Sequence, residues 1–174
     1  MTMALITDLD EVRRLANERF DEFDVLRYQL QFDDAIDDVK LDAWVEVVAA
    51  PIVASVDCKQ CGNCCRALTV GLTSDDAGRL AAHIGCSVNQ LSADYIERDV
   101  EEEWGIFKQR PCAFLKGKLC SVYEHRPEVC RQYPQFTPDF RWTLEQMNDG
   151  AALCPIIYNV LSQILERERE IYAL

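Results

Sequence analysis

The sequence predicts a mainly α fold: a small single domain in which N- and C-terminal helices flank an irregular cysteine-rich region with one short β-hairpin. Three observations predict it. Apolar residues recur at helical spacing at both ends of the chain. Nine cysteines occur in 174 residues, four of them between Cys58 and Cys65. Pro127 and Pro134 punctuate the stretch between, which suits short turns better than regular structure. A chain of this length buries one core but hardly two, so the expected organisation is an N-terminal helical extension over 1–55 and a second region over 56–174.

The elements follow in order. Asp8 caps a first helix in which Leu9, Val12, Leu15, Ala16 and Phe20 form the apolar face and Arg13, Arg14 and Glu18 the polar one. Leu26, Tyr28, Leu30 and Phe32 then alternate as in a strand before Ile36, Val39, Ala43, Val47 and Val48 return to helical spacing, which favours a helix over 33–49. Pro51 disfavours helical geometry at Ala50 and marks the passage into the cysteines. Residues 66–72 are compatible with a strand. Thr73 or Ser74 caps a helix through Ala77, Leu80 and Ala81 to Ile84, Gly85 stops it, and Ser87 caps another carrying Leu91, Tyr95 and Ile96. After the acidic run 101–103, residues 104–120 read as a hairpin turning at Lys116 and Gly117. Pro155 suits the first position of the last helix, whose stripe of Ile157, Val160, Leu161, Ile164, Leu165 and Ile171 reads as core or dimer seam.

The net charge of −12 argues against nucleic acid and against an anionic membrane surface as partners, because no basic run offsets it. The first residues hold no basic stretch followed by an apolar run, and no apolar segment is long enough to cross a bilayer. A cytoplasmic location is therefore expected, with a protein as partner. Thiols stay reduced in the cytosol, so cysteines at this density point to metal binding, and their odd number argues against a complete disulfide framework.

Cys58-x2-Cys61-x2-Cys64-Cys65 lets the backbone turn tightly enough for successive sulfurs to converge on one ion. Gly62 and Asn63 tolerate the positive backbone angles of such a knuckle, and Lys59 and Arg66 offset thiolate charge. Cys112, Cys120, Cys130 and Cys154 complete a pool of eight candidate ligands. Eight thiolates suffice for two mononuclear sites, or for one cubane cluster with a second centre or spare thiols. Cys154 stands at a helix N-cap, where amides and dipole favour a thiolate. Ferredoxins share the closely spaced triplet and a cysteine-proline pair but not the Cys64-Cys65 doublet, and zinc ribbons would need a second C-x2-C. Cys86, alone at a helix-helix turn, reads as core, and His83 and His125 as capped or surface residues, with nitrogen ligation in a mixed site the alternative.

Two motifs together resemble the YkgJ-type cysteine-cluster family, described as zinc- or iron-chelating: CKQCGNCC at Cys58–Cys65 and PCAFLKGKLCSVYEHRPEVCRQYP at Pro111–Pro134. The intervening LTSDDAGRLAAHIG is similar to the family's following helix. The resemblance covers about residues 56–155 and implies that Cys58, Cys61, Cys64, Cys65, Cys112, Cys120, Cys130 and Cys154 are metal ligands. Within the second motif, Arg126 and Arg131 are expected to donate to cluster sulfurs or pair with nearby carboxylates, with bracing of the loop through backbone carbonyls the alternative for Arg126, and Tyr123 and Tyr133 to shield the metal.

The expected function is that of a thiolate metal-binding protein serving as a redox, accessory or protein-interaction module. An iron-sulfur cluster, of the 4Fe-4S type among others, is favoured slightly over zinc. The competing readings are a zinc-stabilised interaction protein and a protein-modifying enzyme, because flagellin lysine methylases resemble this family. Seven glycines without a Gly-rich dinucleotide turn or phosphate loop give the enzyme reading little support.

Overall fold

The computed structural model describes residues 4–101 and 104–174, so the acidic run at 101–103 lies partly outside the described residues. The protein is mainly α. Three helices open the chain: α1 (Leu9–Glu18), α2 (Phe20–Phe32) and α3 (Asp38–Ser55). Two single turns, α4 (Cys58–Cys61) and α5 (Cys64–Ala67), lead to α6 (Ser74–Ile84) and α7 (Val88–Tyr95). Strands β1 (Ile96–Glu97), β2 (Ile106–Phe107), β3 (Leu115–Lys116) and β4 (Leu119–Cys120) precede a 3-10 turn at Tyr123–His125. Helices α8 (Glu128–Gln132), α9 (Phe140–Ala151), α10 (Pro155–Glu166) and α11 (Glu168–Ile171) complete the fold. No helix among the described residues is long and apolar enough to cross a membrane.

The chain divides into two compact units, one formed by the segment up to Asp57 together with Pro134–Leu174, the other by Cys58–Tyr133. The expected boundary near residue 55 left the last helix with the cysteines, whereas in the structure α10 packs against α3, α9, α1 and α2. The reason is visible in its burial: every residue of α10 from Pro155 to Ser162 is buried, a pattern that only a helix surrounded by others can satisfy.

Polar anchors fix this helical unit. Asn159, 5% exposed, donates to the carbonyls of Ile6 and Pro155 and accepts from Ile6 N at 3.0 Å, tying the segment before α1 to α10. Arg141 is buried and donates to the Leu30, Asp33 and Ile36 carbonyls and to Asp38, so it holds the α2–α3 connection. Asp42 on α3 accepts from Asp139 N and Phe140 N at 2.8 and 2.9 Å and thereby caps α9 from outside, because Asp139 makes no side-chain cap of its own.

Three local expectations change. Residues 26–32 are helical, since Phe23, Leu26 and Leu30 recur on one buried face of α2 while Tyr28 and Phe32 are exposed; apolar residues on both faces imitate alternation. The third helix spans Asp38–Ser55 with Pro51 inside it. The carbonyl that Pro51 cannot serve belongs to Val47, which is 67% exposed and so open to water, and Ile52 is buried beyond the proline, so packing outweighs the local rule. The stretch 66–72 forms one bridge rather than a strand, Gly71 opposite Ile106, because Arg66 and Ala67 still belong to α5.

In the cysteine unit, Thr73 and Asp76 make a reciprocal capping box at the start of α6, Gly85 ends it at φ +75, and Ser87 caps α7. Asp76, 1% exposed, also accepts from Glu128 N at 3.1 Å and pairs with Arg79 at 2.6 Å, tying α8 to α6. Among the described residues there are two antiparallel strand pairs where one hairpin was expected. β1 pairs with β2, and β3 pairs with β4 in a register of Lys116 opposite Leu119, which moves the turn to Gly117 and Lys118.

Candidate metal centre

The first cysteine group is built on two single helical turns. Gly62 N bonds the Cys58 carbonyl at 3.3 Å and Leu68 N the Cys64 carbonyl at 2.9 Å. Gly62 joins the turns at φ +62, and a Cβ there would stand 2.8 Å from the Lys118 carbonyl oxygen, so the knuckle and the β3–β4 turn approach as closely as only glycine allows. Arg66 straps them together, donating to the Gly62 carbonyl at 2.9 Å and to the Gly117 carbonyl at 2.6 Å.

The second group meets the first through backbone. Cys112 N donates to the Cys65 carbonyl at 2.8 Å, Leu115 N to the Cys112 carbonyl at 2.9 Å, and Leu115 pairs with Cys120 across the hairpin. Cys130 sits on α8. Cys112, Cys120 and Cys130 are partly buried against a core that includes Leu72, Leu80, Leu91, Phe114 and Val122.

Electrostatics define a quartet. Burial pushes the Cys130 thiol up to about 12, and charge on Cys65, Cys112 and Cys120 adds to the shift. Burial likewise raises Cys112, which feels Cys65 and Cys120, and raises Cys120, which feels Cys65. Every pair among Cys65, Cys112, Cys120 and Cys130 thus lies within electrostatic reach. Cys65 moves the other way, down to about 6, through a hydrogen bond with Cys64 and then the charges of Arg66 and Arg126, which outweigh its burial.

Arg126 braces the loop through backbone, one of the two roles expected of it, and Arg131 does the same while also lying 4.0 Å from the Glu128 carboxylate. Arg126 donates to the Tyr123 carbonyl at 2.9 Å and the Cys130 carbonyl at 3.3 Å, and Arg131 to the Arg126 and Glu124 carbonyls at 3.0 Å. Tyr123 is gripped by cations that its sequence position did not announce: the Arg126 guanidinium lies 3.8 Å and the Lys59 ammonium 4.9 Å from its ring centre. His83 and His125, read as lone residues, stack at 4.0 Å, and Cys86 packs against the core as expected.

Of the other candidates, Cys58 is exposed and Cys61 and Cys64 half-buried in the same unit. Cys154 belongs to the helical unit, where it is buried and forms the N-cap of α10. No disulfide joins the described cysteines, and among the described residues no group of three or more His, Cys, Asp or Glu side chains is arranged to hold a metal ion. The donor chemistry nevertheless suits a thiophilic ion. Four thiols share one electrostatic environment, with Cys65 lowered below the usual thiol range and arginine charge beside them.

A compact unit that carries eight of the nine cysteines, within a mainly α protein, fits the class of cysteine-cluster metal-chelating proteins. The comparison with known families is specific within that class. Residues 57–155, more than half of the chain, match the family described as "CxxCxxCC: Putative zinc- or iron-chelating domain", and the chain belongs to that family. No curated protein and no solved structure gives a match.

Proposed function

We propose that the protein is a thiolate metal-binding module in which Cys65, Cys112, Cys120 and Cys130 supply the principal donors and Cys58, Cys61 and Cys64 a second group. The observation that carries this reading is the approach of separate chain segments, with Cys112 N donating to the Cys65 carbonyl at 2.8 Å and Leu115 pairing with Cys120, which leaves Cys65, Cys112, Cys120 and Cys130 near enough to shift one another's pKa. Packing alone gives no reason to gather four sulfurs and place Arg126 within reach of three of them. When bound, the metal would stabilise the unit outright and, as iron, supply one-electron redox chemistry.

Iron-sulfur is favoured slightly over zinc, because Cys58, Cys61 and Cys64 follow the close triplet spacing of ferredoxin-type cluster ligands. The role is that of a redox, accessory or interaction module. Anaerobic purification followed by iron, sulfide and zinc analysis and a visible spectrum tests the reading. A brown protein with labile sulfide supports the cluster, colourless protein with stoichiometric zinc replaces it with zinc, and protein that takes up neither contradicts the proposal. A Cys154→Ser variant that keeps its metal restricts the centre to the cysteine unit.

A further inference from the structure

The surface of α2 belongs to none of this chemistry. While Phe23, Leu26 and Leu30 are buried, Val25, Tyr28 and Phe32 are exposed by 56%, 61% and 69%. They recur at i, i+3 and i+7 and so form one ridge, along which the rings of Tyr28 and Phe32 pack with centres 4.6 Å apart. Single exposed apolar residues are ordinary, whereas a contiguous ridge with two aromatics marks a surface that something covers.

The ridge borders a groove. Val25 and Leu26 on one side and Leu165 on the other line an open cleft of about 500 Å³ between α2 and the end of α10. Its rim carries Asp21, Glu22, Glu166 and Glu168 against a single cation, Arg19. That cation is committed, donating at 2.9 Å both to Glu22 and to Ser162 Oγ. Asp21, Glu166 and Glu168 are the surplus charge of the rim.

We propose that this surface docks a basic amphipathic helix of a protein partner, its apolar face on Val25, Tyr28 and Phe32 and its lysines or arginines at the carboxylate rim. A second copy of the chain is the poorer occupant, because it brings another net charge of −12 and the same acidic rim. The inference goes beyond the metal reading, since none of these residues lies in the cysteine unit.

The test uses the full metal-loaded chain and fluorescein-labelled synthetic peptides, each about four helical turns long. One contains leucine and lysine in amphipathic order, one has the same composition scrambled, and one contains leucine and glutamate. Fluorescence anisotropy should give the amphipathic Leu/Lys peptide at least tenfold tighter binding than the scrambled one, with the Leu/Glu peptide inert. Tyr28→Ser with Phe32→Ser, both exposed, should weaken binding about tenfold or more, and Asp21→Asn with Glu166→Gln should weaken it and flatten its salt dependence. Equal binding of the scrambled peptide, or affinity untouched by the double serine variant, overturns the proposal and leaves a merely acidic surface. A concentration-dependent dimer in sedimentation equilibrium, abolished by the same two serines, overturns it in favour of self-association.

Discussion

The helical unit and the cysteine unit are stabilised differently. Among the largest fully buried side chains, Phe23, Leu26, Leu30, Leu41, Phe140, Leu144, Ile156, Ile157 and Leu161 belong to the helical unit, whereas Leu72, Leu80 and Leu91 belong to the cysteine unit. Those three lie in α6, α7 and the segment before them; between Pro111 and Tyr133 the chain runs through two-residue strands, a 3-10 turn and one five-residue helix. Elements so short cannot bury enough apolar surface to offset the entropy of ordering them. The helical unit is therefore organised by packing throughout, whereas the cysteine unit sets its thiols beside a smaller core. On the proposed function, a bound thiophilic ion would add the stabilisation that these short elements lack.

The largest expected break in this contrast comes from the quartet. Cys120→Ser or Cys130→Ser should abolish bound metal, read by metal analysis of the purified chain, while Cys86→Ser leaves it intact. Because Cys130 is a thiol with its pKa pushed up to about 12, metal uptake must displace its proton. Apparent affinity should then rise with pH and fall in acid, with proton release measurable by calorimetry in two buffers.

Leu144→Ala sharpens the contrast from the other side. It should cost the helical unit about 2–5 kcal/mol in denaturant unfolding while metal content per folded chain stays unchanged. Next in size, Gly62→Ala should destabilise the cysteine unit by about 1–3 kcal/mol, since it places a Cβ against the Lys118 carbonyl at positive φ. The smallest effect is expected at Glu170, which Arg167 and then Trp44 hold down at about 2. A carboxylate with a lowered folded pKa contributes stability that is full above its ordinary value of 4.5 and fades as pH falls toward 2. Glu170→Gln should flatten that acid limb, followed by thermal melts across the range, without altering stability's response to metal.

Local chemistry was legible wherever a single residue type dictates a backbone state. Asp8, Thr73, Ser87 and Pro155 start helices and Gly85 ends one, as their capping chemistry requires. What the sequence did not convey was tertiary. Pro51 reads as a breaker because nothing local announces that Ile52 will be buried beyond it. The expected division near residue 55 placed α10 with the cysteines, because its all-round burial depends on helices distant in the chain. At the site, the cysteines themselves were conspicuous but their grouping was not. Spacing joined Cys65 to Cys58, Cys61 and Cys64, and the fold keeps its hydrogen bond with Cys64 while adding Cys112, Cys120 and Cys130 as electrostatic neighbours. The doublet was the available signal, since adjacent residues on a helical turn project about 100° apart and face different neighbours.

Hydrogen exchange of the full chain, measured before and after anaerobic removal of metal by a chelator, tests the central claim most directly. Protection should be lost across Cys58–Tyr133, most of all between Cys112 and Cys130, while the amides of α2, α3, α9 and α10 keep theirs. Unchanged protection in the cysteine unit, or equal loss throughout the chain, would contradict that claim.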